Sequence, residues 1–174
     1  MAGGFVINTN YDSMKPVYSQ TGHGSHCFAE VRVLKDIHFE KELWLEYSGY
    51  ALPEAQVMFY KLYLKGYKIA VCLNTYFCHL DAASTNDGKR YLKIAQAKAG
   101  NFLIFWHRFI FTQIEGREKY GSAVFAFWRI SMECMLYILK CHNVAVLKSV
   151  WKGLKFGLAY IKTDSVPIIT KKKK

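Results

Sequence analysis

Between residues 57 and 64 the apolar positions fall at helical spacing. Val57, Tyr60 and Leu64 occupy i, i+3 and i+7, and Lys61 joins them at i+4 through its aliphatic stem. Pro53 suits a first helical turn. Glu54 places a negative charge at the helix N-terminus, and Gly66 fits a C′ stop. The run KIAVCL at 68–73 is short and β-prone and predicts a buried strand, with a second, shorter strand over 77–79. A helix, a glycine and a strand in this order predict an α/β layer. Upstream, residues 1–24 carry Gly3, Gly4, Pro16, Gly22 and Gly24 without a period, which predicts an irregular lead-in holding one short strand. Residues 26–37 read as a strand running into a short helix. Residues 38–52 read as a loop with a helical turn that contains Trp44.

Beyond Gly88 the pattern turns helical, with candidate helices over 90–112, 122–140 and 144–161. The apolar run 123–139 contains Arg129 and Glu133, so it falls short of an uninterrupted spanning segment and reads as buried or interfacial. In the last helix Leu147, Val150, Trp151, Leu154 and Leu158 lie on one face and Lys148, Lys152 and Lys155 on the other. That is a basic amphipathic helix with a tryptophan suited to a membrane interface. Gly153 and Gly157 weaken it as an isolated helix. Residues 171–174, all lysine, read as a solvated tail. The chain therefore divides into an α/β part, 1–86, and a mostly helical, basic part, 87–174.

Composition narrows the function classes. The chain has 174 residues, enough for a real core, and is just over half apolar, which excludes a disordered chain. Its net charge of +11 implies an anionic partner: nucleic acid, an acidic membrane surface or a phosphorylated substrate. Nucleic acid has charge alone in its favour, with no recognisable motif, and is set aside. Five scattered cysteines without a CxxC pair fit a reduced, cytoplasmic compartment. The opening residues lack a secretory signal pattern. His23, His26 and Cys27 lack the second pair that a zinc site needs.

Three stretches carry a resemblance: LWLEYSGYALPEAQVMFYKLYLKGYKIAV at 43–71, HLDAAST at 79–85 and AQAKAGNFLIFWHRF at 95–109. Together they resemble the acceptor-side half of a family 2 glycosyltransferase, of the kind that builds bacterial surface polysaccharides. The shared order is a small Gly-rich segment (Gly22, His23, Gly24), a basic or aromatic segment over 28–33, and a carboxylate opening a helix (Glu54). It continues with a GYKI strand entry (Gly66 to Ile69), a histidine after the strand (His79), and Asn101 in a polar slot of the next helix. The likeness covers residues 20–112; the last third matches only in style.

The resemblance implies the C-terminal half of a GT-A, Rossmann-like α/β domain followed by a helical basic extension. It implies sugar transfer from a nucleotide-sugar donor to a glycan or lipid-linked acceptor, with a divalent cation (Mg²⁺ or Mn²⁺) in the complete enzyme. A base takes the acceptor proton while the cation and nearby dipoles stabilise the diphosphate leaving group. Two departures bear on this. The family's second carboxylate, the expected base, is Ala55 here, and no Asp-x-Asp occurs anywhere in the chain. The expectation is therefore a segment inactive alone, with the donor-binding half outside it. Glu54 and Ala55 mark the catalytic position, and Glu54 taken alone reads as a helix-terminal charge. Gly22, Gly24 and Trp44 are candidate acceptor contacts, with a core role equally open to Trp44. His79 is a candidate metal or diphosphate contact oriented by Asp81, and otherwise a strand-end histidine. The basic helix predicts a peripheral position on an anionic cytoplasmic leaflet. The competing reading from another class is a non-enzymatic, basic membrane-surface module.

Overall fold

The computed structural model describes residues 17–19, 29–71 and 89–163. Gly22, His23, Gly24, His26, Cys27, His79 and Asp81, the strand expected over 77–79 and the lysine tail lie outside these residues.

Helices dominate what is described. A short strand β1 (Val17–Ser19) precedes α1 (Val31–Asp36), a 3₁₀ turn (Phe39–Lys41), the single turn α2 (Trp44–Tyr47) and α3 (Glu54–Leu64). The strand β2 (Ile69–Val71) follows, then α4 (Arg90–Phe105), a π-helical turn (Trp106–Ile110) and a 3₁₀ turn (Phe111–Gln113). Two long helices, α5 (Glu118–Cys141) and α6 (Ala145–Thr163), complete the order.

The helix expected between Pro53 and Gly66 forms, with Pro53 as its N-cap and not in its first turn, and Val57, Tyr60, Lys61 and Leu64 are all buried. Gly66 ends it at φ +89, in the left-handed region open to glycine. The wider α/β expectation, a GT-A or Rossmann-like half-domain, is overturned. β2 pairs antiparallel with β1, Val17 opposite Val71 and Ser19 opposite Ile69, in a two-stranded ribbon. A wound α/β domain needs parallel strands joined by crossover helices. Among the described residues there is no such strand pair. The local unit of helix, glycine and strand is present, but its strand partner is a three-residue ribbon edge and not a sheet.

One core joins the residues before and after the chain's expected midpoint. Trp44, Val57, Tyr60 and Leu64 pack with Ala99, Leu103, Phe105 and Phe109, and with Ala126, Ile130 and Cys134 of α5. Tyr60 meets the rings of Phe105 and Phe109 edge-on at 5.7 and 6.4 Å. A second, small cluster of Ile37, Phe59, Leu62 and Ile69 lies under α1.

α4 is the helix against which the other long helices lean. α5 runs antiparallel to it: Lys98 Nζ meets Glu133 Oε2 at 3.0 Å, and Trp106 Nε1 donates to Ser122 Oγ at 3.0 Å. α5 stops at His142 in the left-handed region. Asn143 Oδ1 then accepts from the Ala145 N–H at 2.8 Å, starting α6. α6 runs parallel to α4, backbone against backbone. A Cβ on Gly153 would stand 2.1 Å from the Gln96 carbonyl oxygen, and one on Gly157 3.0 Å from that of Gly100. The glycines that weaken α6 in isolation are thus its points of contact, an arrangement in which small residues let helix backbones approach.

Gly153→Ala is expected to lower stability by more than the ~1–3 kcal/mol typical of overpacking, because the clash is with backbone. Gly121→Ala, on an open stretch of α5 with no atom within 4 Å of the added carbon, should be neutral or stabilising by up to ~1 kcal/mol. Urea titrations of both variants check the contrast.

Candidate membrane-facing surface and the buried charge cluster

Beneath α3 lies a charged cluster withdrawn from solvent. Glu42, from the turn after α1, is 4 % exposed, Lys61 of α3 1 % and Arg108 of the π-turn 4 %. Glu42 Oε1 accepts from Lys61 Nζ at 2.7 Å. Its Oε2 accepts from Trp44 Nε1 at 2.7 Å and from Arg108 Nε at 2.9 Å. Lys61 Nζ also donates to the His38 carbonyl at 2.9 Å. Burial pushes the Lys61 ammonium down from its ordinary value, against the hydrogen bond and charge of Glu42. Burial likewise raises the Tyr60 hydroxyl, to about 12, with Tyr63 adding to it. Both carboxylate oxygens of Glu42 are thus occupied by a lysine, an arginine and an indole.

A second polar knot ties the loop ahead of α3 to α4. Asn101, fully buried, donates through Nδ2 to Ser48 Oγ at 2.9 Å and to the Leu52 carbonyl at 2.6 Å. Gln96 Nε2 donates to the Ser48 carbonyl at 2.9 Å. The polar slot that the resemblance gave Asn101 is therefore a loop clamp.

The described sequence candidates do not meet in one cleft. Glu54 is the first residue of α3 and exposed. Ala55 packs against the small cluster of Ile37, Phe59, Leu62 and Ile69. Trp44 is fully buried with its indole bonded to Glu42, so it takes the core role and offers no face for stacking on a sugar. Gly22, Gly24, His79 and Asp81 lie outside the described residues. Among the described residues no group of three His, Cys, Asp or Glu is placed to hold a metal ion.

The exposed feature of the molecule is the outer side of α5. This helix is 24 residues long and apolar enough to cross a membrane, yet only 22 % of its apolar stretch is buried. Ser122, Ala126, Ile130 and Cys134, at four-residue spacing, face the protein. Val124, Trp128, Met135 and Leu139, on the opposite side, are exposed, Val124 at 71 %. Its two mid-helix charges stay on the protein side of this band. Glu133 meets Lys98, and Arg129 Nη2 meets Glu133 Oε1 at 3.2 Å.

α6 adds to this surface. Its inner side is used by Val146, Gly153 and Gly157, so Leu147, Trp151 and Leu158 stand outside, Trp151 at 60 %. Lys148, Lys152, Lys155 and Lys162 flank them, with Lys155 Nζ 5.4 Å from the Trp151 ring centre. The single apolar face read from the sequence is thus split: Val150 and Leu154 turn inward, the other three outward. The sequence reading of residues 123–139 missed the sidedness of α5. The four-residue recurrence of Ser122, Ala126, Ile130 and Cys134, uncharged and mostly small, was the available signal.

No protein-family model, curated protein or solved structure matches the chain.

Glu42→Gln should destabilise the fold by ~3–5 kcal/mol, since it leaves the Lys61 ammonium buried without its carboxylate. Lys61→Met should be milder, because Arg108 and Trp44 still serve Glu42. Denaturant midpoints that reverse this order would show that the cluster is not organised around the carboxylate.

Proposed function

We propose that the chain is a basic, membrane-seated module without catalytic activity of its own, serving a glycosyltransferase of the family 2 type. The observation that carries the membrane part is the outer face of α5. A continuous band of aromatic and aliphatic side chains lies there, with Arg129 and Glu133 kept off it. A soluble helix presents the reverse pattern, and contiguous exposed apolar patches mark membrane or partner contacts. The lysines of α6 supply the attraction to an anionic cytoplasmic leaflet, about 1 kcal/mol each. The charges at the middle of α5 favour a helix lying in the interface with its polar flank toward water. In a spanning helix the same charges would sit near the bilayer centre, at about 2.5–3.5 kcal/mol each on insertion scales.

The glycosyltransferase part rests on sequence order, supported locally by α3 opening at an exposed Glu54, stopping at Gly66 and passing into β2. Ala55 and the missing Asp-x-Asp are the grounds for a non-catalytic role. The segment would hold its enzyme against the leaflet where a lipid-linked acceptor resides. The nucleotide-sugar and the divalent cation would be bound by residues elsewhere in the complete enzyme.

The purified chain is expected to co-sediment with phosphatidylcholine–phosphatidylglycerol vesicles and to be released by alkaline carbonate. Trp128→Glu combined with Leu139→Glu should abolish sedimentation. Retention after carbonate would establish a spanning helix instead, and sedimentation of the double variant would remove α5 as the contact. Sugar transfer or donor hydrolysis by the chain alone with Mg²⁺ or Mn²⁺ would refute the non-catalytic assignment.

A further inference from the structure

Where α5 and α6 diverge above α4, an apolar groove of about 110 Å³ opens between them. Leu103, Ile130, Cys134, Val150 and Leu154 form its floor and walls. Phe127 and Ser131, both exposed, stand at its rim. Its size approaches the ~150 Å³ of an apolar cavity that takes up benzene. It therefore has room for a short stretch of hydrocarbon.

Two further features say what kind of molecule fits. Around α6, Val150 and Leu154 in the groove are followed by the exposed Leu147, Trp151 and Leu158, and these by Lys148, Lys155 and Lys152. The helical repeat of 3.6 residues sets this sequence of side chains around the helix. From Leu154 the surface passes the exposed indole to Lys155 and then Lys148, about 100–120° around the helix, while Lys152 lies on the far side. α6 contains no acidic residue, and none of these lysines has a carboxylate partner among the described residues. The complementary ligand has a hydrocarbon chain joined to an anionic head.

Resting on the membrane-seated reading above, we infer that the groove takes an acyl chain of an anionic phospholipid, whose phosphate is held by Lys155 and Lys148. The site would distinguish phosphatidylglycerol from phosphatidylcholine by charge. It would draw one lipid chain out of the leaflet and against α4.

The test uses the full chain, loaded on vesicles of phosphatidylcholine and phosphatidylglycerol and released in mild detergent for native mass spectrometry. One retained phosphatidylglycerol per chain is expected, in preference to phosphatidylcholine. Ser131→Phe, which fills the groove from its rim, should lower retention several-fold while vesicle sedimentation stays as in the unaltered chain. Replacing Lys148 and Lys155 by Gln should weaken the preference for phosphatidylglycerol by roughly tenfold or more, and Lys152→Gln should leave it nearly unchanged. A chain that sediments but retains no lipid, or retains both lipids equally, overturns the groove assignment alone. A chain that does not sediment overturns the membrane reading as well. If circular dichroism shows that Ser131→Phe has lost its helices, the Lys148 and Lys155 variant decides, since both positions are exposed. An unchanged lipid preference there refutes the site.

Discussion

The approach of α6 to α4 is so close that only hydrogen fits where a side chain would stand. Gly153 sits against the Gln96 carbonyl and Gly157 against that of Gly100. Because these glycines and Val146 occupy the inner side of α6, its larger apolar residues have no place there. Leu147, Trp151 and Leu158 are displaced to the outside, beside the lysines. The same approach sets the floor of the groove, since Leu103 of α4 and Val150 and Leu154 of α6 line one wall. A larger residue at 153 would push α6 outward and alter the core, the groove and the exposed surface together.

The other half of the fold is held to α4 and its extension by side chains, a shared apolar core and two buried polar clusters, rather than by close backbone packing. Glu42 gathers Lys61, Arg108 and Trp44, and Asn101 clamps the loop carrying Ser48 and Leu52. Buried polar groups of this kind are costly unless satisfied. The Glu42 cluster pairs both carboxylate oxygens, whereas Asn101 donates through Nδ2 and its Oδ1 is buried without a hydrogen-bond partner among the described residues. The Arg108 contact falls within the π-helical turn Trp106–Ile110. Departures from the regular α repeat of this kind frequently mark sites under a specific constraint.

Part of this was legible from the pattern of residues. The spacing of Val57, Tyr60 and Leu64, bracketed by Pro53 and Gly66, locates α3, with Pro53 falling just outside its first turn. The long periodic stretches beyond Gly88 predict three helices that all form. These are local properties, set by periodicity and by chain-stopping residues. The α/β expectation went wrong because a β-prone run says nothing of its partner. Ile69 to Val71 form a strand, but pairing with Val17 to Ser19 is a contact across half a hundred residues of chain. The acceptor-contact candidate Trp44 met the same limit. Trp44 reads equally as ligand platform or core residue until its indole is found bonded to Glu42.

What the amino-acid order determined by itself was the positions of the helices, the excess of positive charge and the amphipathic character of the last helix. Each follows from neighbours within a few residues or from simple counting. Which side of α5 faces outward, which apolar residues of α6 are spent on packing, and where Lys61 finds its counter-ion were decided only by tertiary structure. Those outcomes depend on how near two helices can come, and that distance is fixed by the absence of side chains at Gly100, Gly153 and Gly157 acting together across separate helices.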